Sequence, residues 1–348
     1  MKQLSILCAL LPVFLFAQPE HPTAKVFIIT TDGFRWHELF EGADSMLLFN
    51  SGEPQAIAGY WSCSMEERRR KLMPFMWTQL AVEGQLLGNR NYGNEVTVKN
   101  AFKISYPGYN EILTGYPDPV LIPNLPIRNR NRNILGRCNA TAALHGRVAA
   151  FTTWKLFPFI LNQHRDHLVL NPVCSDQDHS GSPDEKTFCR AMAYLQRSKP
   201  DLVLISFGET DHWAHQGNYL KYLESATRVD EMIGKLWQFV QNDPYYRGQT
   251  SFIITTDHGR GEEENWFTHG PFSKGSGEAW LALLGPGVSA LGEIKTPRKM
   301  YQTQIAPVVA WLMQVPFDGR EPDHNPLIVA FSGAQRENGN RKVFAASR

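Results

Sequence analysis

The sequence predicts an α/β fold with a doubly wound, mostly parallel central sheet and helices on both of its faces. Short apolar runs of strand length alternate along the chain with polar residues and segments of helix length. The runs are apolar at nearly every position, which is typical of strands buried on both faces of a sheet. Strands that alternate with helices in this way favour parallel pairing with helices packed on both sides.

Each element is assigned from the length and composition of its segment. The predicted strands are 26–31, 148–153, 202–207, 251–256 and 279–284. The predicted helices are 66–83, 183–197, 219–242 and 301–313. The 348 residues contain neither a repeat nor a low-complexity linker, so we expect 18–348 to form a single domain.

The N-terminus has the composition of a signal peptide. Lys2 supplies a positive start, and the run 4–17 is almost wholly apolar until Gln18. The run is short for a bilayer span, so we expect cleavage after Ala17 and a secreted or periplasmic protein. An uncleaved anchor is the alternative. No other stretch is long and apolar enough to cross a membrane, so no stable membrane span is expected after cleavage.

Export bears on the cysteines, because disulfides form in oxidising compartments. Removal of Cys8 with the signal peptide would leave four cysteines. Cys174 and Cys189 enclose a short polar segment and are the expected pair, and Cys63 with Cys138 follows by elimination. The alternative is that some of them are buried free thiols.

The charge balance excludes a global electrostatic field. The chain has 35 basic and 34 acidic residues, a formal net charge of +1. No nucleic-acid-binding surface is therefore evident, and an anionic substrate would have to be bound by local groups.

Acidic residues follow three of the predicted strands. Asp32 and Asp257 come directly after their strands, and Asp211 follows the strand 202–207 after a short polar turn. Ligand sites of open α/β sheets form at the carboxyl ends of the strands. A single Asp at such a position is usually a helix cap, but three of them, two with a nearby His, are poorly explained in that way.

The spacing of these residues predicts a metal site. Asp211 and His215 lie four residues apart and would share one face of a helix, whereas Asp257 and His258 are adjacent at a turn that Gly259 permits. Imidazole mixed with carboxylate favours zinc, with other divalent transition metals as alternatives. Six ligands, three for each of two Zn²⁺, would leave each ion an open position. The predicted ligands are Asp32, Asp211, His215, Asp257, His258 and His269.

Ser105 is the candidate nucleophile. Pro107 suits the first turn of a helix and Gly115 its end, so Ser105 would lie at the helix N-terminus. The free amides and the positive dipole there favour an alkoxide and a bound phosphate. A hydroxyl still needs a base or a metal to become a nucleophile. The local sequence alone equally allows Ser105 to be only a helix cap.

These motifs resemble the alkaline phosphatase superfamily, most closely its type I phosphodiesterase/nucleotide pyrophosphatase group. The resemblance spans residues 25–270 and is carried by motifs in the same order as in that family. The matching motifs are Asp32-Gly33-Phe34-Arg35, Ser105-Tyr106-Pro107, Thr114-Gly115, Asp211 with His215, Asp257-His258-Gly259 and His269-Gly270.

The resemblance implies an alkaline phosphatase-like catalytic domain that binds two zinc ions. One would be bound by Asp211, His215 and His269, and the other by Asp32, Asp257 and His258. It implies that Ser105 attacks phosphorus and becomes a phosphoserine, which is then hydrolysed. The family also has a downstream Asn that binds a phosphate oxygen. We expect Arg35 and one of three Asn residues to bind the substrate, the candidates being Asn129, Asn131 and Asn133.

Two departures narrow the prediction. Tyr109 stands where sulfatases need an Arg, which disfavours a sulfatase, and the segment between Ser105 and Asp211 leaves little room for the second domain of cofactor-independent phosphoglycerate mutases. The predicted function is an exported zinc-dependent phosphoric ester hydrolase, a phosphatase or phosphodiesterase, with a slight preference for monoesterase or broad activity. The alternatives are a phosphomutase or phosphotransferase and a non-catalytic binding protein. The loops 34–70 and 117–137 are expected to form the leaving-group pocket.

Overall fold

The computed structural model describes residues 25–120, 123–172, 181–317 and 326–331. The strands are β1 Lys25–Thr31, β2 Gln85–Leu87, β3 Asn94–Thr97, β4 Val148–Thr152, β5 Val169–Leu170, β6 Leu202–Phe207, β7 Thr250–Thr255, β8 Glu278–Ala279, β9 Leu281–Leu284, β10 Gly292–Glu293 and β11 Arg298–Tyr301. The helices are α1 Trp36–Glu41, α2 Ser45–Asn50, α3 Pro54–Tyr60, α4 Met65–Leu72, α5 Ala81–Glu83, α6 Ser105–Thr114, α7 Ile134–Asn139, α8 Phe157–Ile160, α9 Gln163–Asp166, α10 Pro183–Ser198, α11 Glu209–His215, α12 Tyr219–Asn242, α13 Ile305–Leu312 and α14 Pro326–Phe331.

Eight strands form the central sheet in the order β10-β2-β9-β7-β1-β6-β4-β5. Among these strands β9 runs antiparallel to both of its neighbours, and the other pairs are parallel. A smaller sheet has the order β11-β3-β8. The predicted mostly parallel sheet is therefore confirmed, and β1 lies between β6 and β7 near its centre.

Alternate side chains of β1 contribute to two different cores. Phe27 and Ile29 belong to the hydrophobic cluster that includes α12, whereas Val26 and Ile28 belong to the cluster that includes α6, α7 and α13. Successive side chains of a strand point to opposite faces of the sheet, so each face has its own helical layer. This confirms the predicted helices on both faces.

Three predicted elements differ from the structure. The run 279–284 divides between β8 and the antiparallel strand β9, because each part pairs with a different sheet. The predicted helix 66–83 is interrupted after α4, since Met73 precedes Pro74 and adopts a non-helical φ of −129°. The predicted helix 301–313 begins only at Ile305, because Tyr301 ends strand β11.

The predicted bond between Cys63 and Cys138 is wrong. Cys138 is buried in α7 among the cluster of α6 and α13, whereas the exposed Cys63 lies before α4, whose Leu72 packs into the cluster on the other face of the sheet. Both thiols are free. For the other predicted pair, Cys189 has a free thiol and Cys174 lies outside the described residues.

The predicted signal peptide, residues 1–17, also lies outside the described residues. Within the described part of the chain, no helix has the length and hydropathy that a membrane span requires.

Candidate active site

The order of the central strands brings the predicted ligands together. β1 pairs with β6 on one side and with β7 on the other, and all three run in the same direction. Asp32, Asp211 and Asp257 follow the carboxyl ends of these strands and therefore meet at one edge of the sheet.

The first group of candidate ligands is fully buried. Ligand atoms of Asp32, Asp257 and His258 all lie within 4.8 Å of one another. His258 Nε2 is 3.5 Å from Asp32 Oδ1 and 3.5 Å from Asp257 Oδ2. The Gly33 amide donates to Asp257 Oδ1 over 3.0 Å, which holds the turn after β1 against the turn after β7.

A second group lies beside the first. Ligand atoms of Asp211, His258 and His269 also lie within 4.8 Å of one another. His215 Nε2 is 2.9 Å from His269 Nε2 and 3.3 Å from Asp211 Oδ2. The rings of His258 and His269 stack with 3.9 Å between their centroids. All six predicted ligands are thus in one cluster, in which His258 lies between the two groups.

The donor atoms of this cluster fit divalent cations. Asp257 Oδ2 is buried and has no hydrogen-bond partner among the described residues, and such an atom is costly unless a cation or another donor reaches it. Burial lowers the pKa of His258 well below its usual value and lowers the pKa of His269 to about 4. Neutral imidazoles have a free nitrogen lone pair, which is the form that binds metal.

Burial acts in the opposite direction on the pKa of the carboxylates, because it disfavours their charged form. Burial raises the pKa of Asp32 well above its usual value, and the charges of Asp257 and Asp211 raise it further. Burial likewise raises the pKa of Asp257 to about 8. For Asp211 burial also acts upward, but the hydrogen bond with His215 and the charge of Arg260 outweigh it and hold the pKa below its usual range. Three acidic groups this close need positive charge to remain ionised together.

Ser105 lies at this cluster and is not a helix cap. It is the first residue of α6, the capping position is Ile104, and no side chain caps this end. Ser105 Oγ is 3.2 Å from His258 Nε2 and 3.5 Å from Asp32 Oδ1. α6 approaches the turn after β7 closely at Gly108, where a Cβ would meet the carbonyl oxygen of Asp257 at 2.5 Å.

Tyr109 is a site residue that the sequence did not assign. Its hydroxyl donates to Asp32 Oδ2 over 3.0 Å and receives a hydrogen bond of 3.1 Å from Ser206 Oγ. Tyr109 follows Ser105 by four residues, so both side chains lie on one face of α6. The four-residue spacing from Ser105 could have placed Tyr109 at the site, although it could not have identified Asp32 as the partner of its hydroxyl.

The three candidate Asn side chains are occupied away from Ser105. Asn129 and Asn131 each donate to Asn110 Oδ1 over 3.0 Å. Asn133 caps α7 by accepting the amide of Gly136 over 2.9 Å. The structure therefore brings none of these three amides to the predicted nucleophile.

Arg35 is also directed elsewhere. Its guanidinium pairs with Glu38 and donates to the carbonyl oxygen of Gly261, and the side chain is buried. The structure does not bring this charge to Ser105.

A different asparagine, Asn124, lies beside the candidate nucleophile Ser105. Its Oδ1 accepts the amide hydrogen of Tyr106 over 2.9 Å, and its side chain lines the same cavity as Ser105. Asn124 is the first Asn in the chain after α6, which is the signal that would have identified it.

The cavity at Ser105 has a volume of about 810 Å³. Its walls away from the candidate ligands include Trp154, Leu156, Pro183 and Trp213, with Lys155 also on the lining. Among the described residues of the predicted pocket loops, only Asn124 lines this cavity, so the expected pocket of 34–70 and 117–137 is largely replaced by residues that follow β4 and β6. Phe34 and Trp36 are buried in the core instead.

Comparison with known proteins gives a family match. Residues 74–320 match the family of type I phosphodiesterases/nucleotide pyrophosphatases. Among curated proteins, 2,3-bisphosphoglycerate-independent phosphoglycerate mutases are similar. The one from Helicobacter acinonychis (strain Sheeba) is 22% identical over 183 residues, which are 51% of this chain and 36% of that protein. The one from Ehrlichia canis (strain Jake) is 24% identical over 189 residues, 51% and 35% of the two chains. The chain thus spans about a third of the length of these relatives.

Solved structures share the fold. Murine ectonucleotide pyrophosphatase/phosphodiesterase 5, an inactive variant in complex with AMP, has a TM-score of 0.58 at 11% identity, covering 89% of this chain and 99% of that chain. Phosphonate monoester hydrolase of Agrobacterium radiobacter has a TM-score of 0.57 at 13% identity, covering 91% and 79%. A variant of the alkaline phosphatase PafA has a TM-score of 0.56 at 10% identity, covering 86% and 97%.

These structures establish an alkaline phosphatase-like fold. The family match covers well over half of the chain and includes the segments that carry Ser105, Asp211, Asp257 and His269. The protein belongs to the type I phosphodiesterase/nucleotide pyrophosphatase family.

Proposed function

We propose that this protein is an exported, zinc-dependent phosphoric ester hydrolase that acts through a phosphoserine at Ser105. The observation that carries the proposal is the position of the Ser105 hydroxyl. It lies 3.2 Å from His258 Nε2 and 3.5 Å from Asp32 Oδ1, at the N-terminus of α6, which no side chain caps. The family match supports phosphate esters as the substrate class. The apolar N-terminal run supports export.

The donor set supports two ion sites, one with Asp211, His215 and His269 and the other with Asp32, Asp257 and His258. Two bound divalent ions would supply positive charge that lowers the pKa of a hydroxyl and balances the charge of a phosphoryl group. Zinc is the proposed ion because the ligands mix imidazole with carboxylate.

The chemistry at Ser105 has two steps. In the first, Ser105 Oγ loses its proton and forms a bond to phosphorus, while the bond from phosphorus to the leaving oxygen breaks and that oxygen is protonated. In the second, water attacks phosphorus and gives up a proton, the bond to Ser105 breaks, Ser105 Oγ is protonated again, and phosphate or a monoester leaves. His258 and Asp32 orient the hydroxyl, and Tyr109 orients Asp32.

Asn124 is the proposed donor to a phosphoryl oxygen. Its Oδ1 is used by the Tyr106 amide, which leaves the side-chain NH₂ as a neutral donor at the wall of the cavity. The apolar walls formed by Trp154 and Trp213 suit a leaving group with apolar surface.

The test is hydrolysis of a panel of aryl and alkyl phosphate monoesters and diesters by zinc-loaded protein. We expect Ser105→Ala to reduce kcat by at least about a thousandfold, because the nucleophile is lost, with zinc content unchanged. Asn124→Ala should lower kcat/KM less severely. Ser51→Ala, whose hydroxyl binds only the backbone beside α2, is the control. Unchanged turnover in Ser105→Ala would exclude the phosphoserine.

A phosphotransferase is the second candidate, because the curated relatives are phosphoglycerate mutases. It would use the same phosphoserine but return the phosphoryl group to an alcohol instead of water. Adding an acceptor alcohol such as glycerol or 3-phosphoglycerate to the assay separates the two. Phosphate released without any phosphorylated acceptor supports the hydrolase.

A further inference from the structure

Arg260 is a buried cation beside the candidate ligands and has no role in the chemistry described above. It follows the turn Asp257-His258-Gly259 directly, and its side chain has no exposed surface. It is also among the largest fully buried side chains of the described residues. A buried charge is costly unless it is paired and hydrogen-bonded, so its partners indicate its role.

All three nitrogen atoms of the Arg260 guanidinium are used. Nη1 pairs with Asp211 Oδ1 on α11. Nε donates to the carbonyl oxygen of Trp266 over 3.2 Å, and Nη2 donates to that of Phe267 over 2.9 Å. The guanidinium therefore connects α11 to the segment that ends at His269.

This connection joins the two parts of one candidate metal site. Asp211 and His215 lie on α11, whereas His269 comes from a loop far along the chain, so nothing covalent fixes their separation. Within the same loop the Gly261 amide donates to the carbonyl oxygen of Thr268 over 2.8 Å, a backbone contact that does not reach α11.

The other candidate site is held by different groups. Asp257 accepts the Gly33 amide, and Asp32 accepts the Tyr109 hydroxyl and also binds Thr210 through its carbonyl oxygen. Arg260 makes none of these bonds. Its loss should therefore disturb one site and leave the other in place.

Only an arginine can make this set of contacts. Its planar fork points donors in three fixed directions, whereas the single ammonium group of a lysine does not reach three acceptors on two segments. Because Arg260 occupies Asp211 Oδ1, the second carboxylate oxygen stays on the side of His215, 3.3 Å from its Nε2.

We propose that Arg260 is a positioning residue for the Asp211, His215 and His269 site and sets the affinity of that site for a divalent ion. The proposal rests on the two-metal function proposed above. Partners that orient metal ligands typically change metal affinity about 10–100-fold when they are substituted.

The test is a zinc titration of the chelator-stripped full chain by calorimetry, comparing wild type with Arg260→Lys and Arg260→Met. Arg260→Lys keeps the positive charge but loses the planar guanidinium with its three donor nitrogens, whereas Arg260→Met loses both the charge and the donors. We expect one ion to bind with wild-type affinity in each variant and the other to bind at least about tenfold more weakly. Arg69→Lys is the matched control, because Arg69 is also largely buried but pairs with Glu293 and Trp77 away from the site.

Each outcome decides the proposal. Unchanged affinity of both ions in Arg260→Lys, equal weakening of both, or tighter binding in Arg260→Met would overturn it while leaving the hydrolase proposal intact. If wild type binds no ion, both proposals fail. Far-ultraviolet circular dichroism of the metal-free chains checks folding, and Arg260→Lys decides the case if Arg260→Met does not fold.

Discussion

The hydroxyl of Tyr109 lies between Ser206 and Asp32, one turn of α6 beyond Ser105. Burial, together with the charges of Asp257 and Asp32, raises the pKa of Tyr109 well above its usual value. The phenol therefore stays protonated and donates to Asp32. The residue that disfavours a sulfatase in the sequence thus has its own role, which is to hold a candidate metal ligand.

Removal of this hydroxyl should weaken the site without disturbing the fold. We expect Tyr109→Phe to lower kcat/KM or zinc affinity about 10–100-fold, because Asp32 loses the donor that orients it. The measurements are steady-state kinetics and zinc titration. Tyr106→Phe is the control on the same helix, since its hydroxyl binds only the carbonyl oxygen of Ile127. Equal behaviour of the two variants would contradict the role of Tyr109.

At the scale of elements, the N-termini of α10 and α11 cap each other. Asp184 of α10 accepts the amides of Gly208 over 2.8 Å and Glu209 over 3.0 Å, and Glu209 accepts the amide of Asp184 over 3.0 Å. This pair fixes where α11 begins and therefore where Asp211 and His215 lie. Glu209 also lines the cavity at Ser105, together with Pro183 and Gly208 from the same two helix ends.

We expect Asp184→Ala to destabilise the metal-free protein by about 1–3 kcal/mol, because the partly buried amide of Gly208 and the buried amide of Glu209 lose their acceptor. Asp184→Asn retains one acceptor oxygen and should lose less. Urea unfolding followed by circular dichroism gives the free energy of unfolding for both. A loss in Asp184→Ala no larger than in Asp184→Asn would show that the reciprocal cap contributes little.

At the scale of the whole molecule, the sheet concentrates negative charge at one edge. Three acidic residues follow the central strands β1, β6 and β7, and burial raises the pKa of Asp257 to about 8. A site of this kind is stable only when positive charge accompanies it, so bound cations should contribute to the stability of the fold as well as to activity.

Chelation should therefore lower both Tm and activity. A ligand at a hundred times its Kd stabilises a fold by about 2.7 kcal/mol per site, so removing zinc should lower Tm by several degrees. Thermal scans before chelation, after it and after zinc is added back measure the effect. If chelation changes neither the Tm nor the turnover rate, the result contradicts metal dependence.

Local pattern was sufficient for much of this fold. The strand 202–207 and the helix 219–242 have the predicted bounds, and the strand 26–31 differs by one residue. Runs of apolar residues and their periodicity depend on neighbours along the chain, which the sequence contains. The meeting of Asp32, Asp211 and Asp257 also followed, because parallel strands end at one edge.

Contacts between distant segments depended on the tertiary structure. Whether 281–284 pairs in parallel or antiparallel depends on β7 and β2, and whether Cys63 meets Cys138 depends on which face of the sheet each one covers. Loop side chains follow no sequence period. Spacing therefore could not predict that Asn124, and not Asn129, lies beside Ser105, or that Arg260 pairs with Asp211. The residue types and their order specified the chemistry of the site, whereas three-dimensional packing selected which groups orient it, because hydrogen bonds and ion pairs depend on distance in space rather than along the chain.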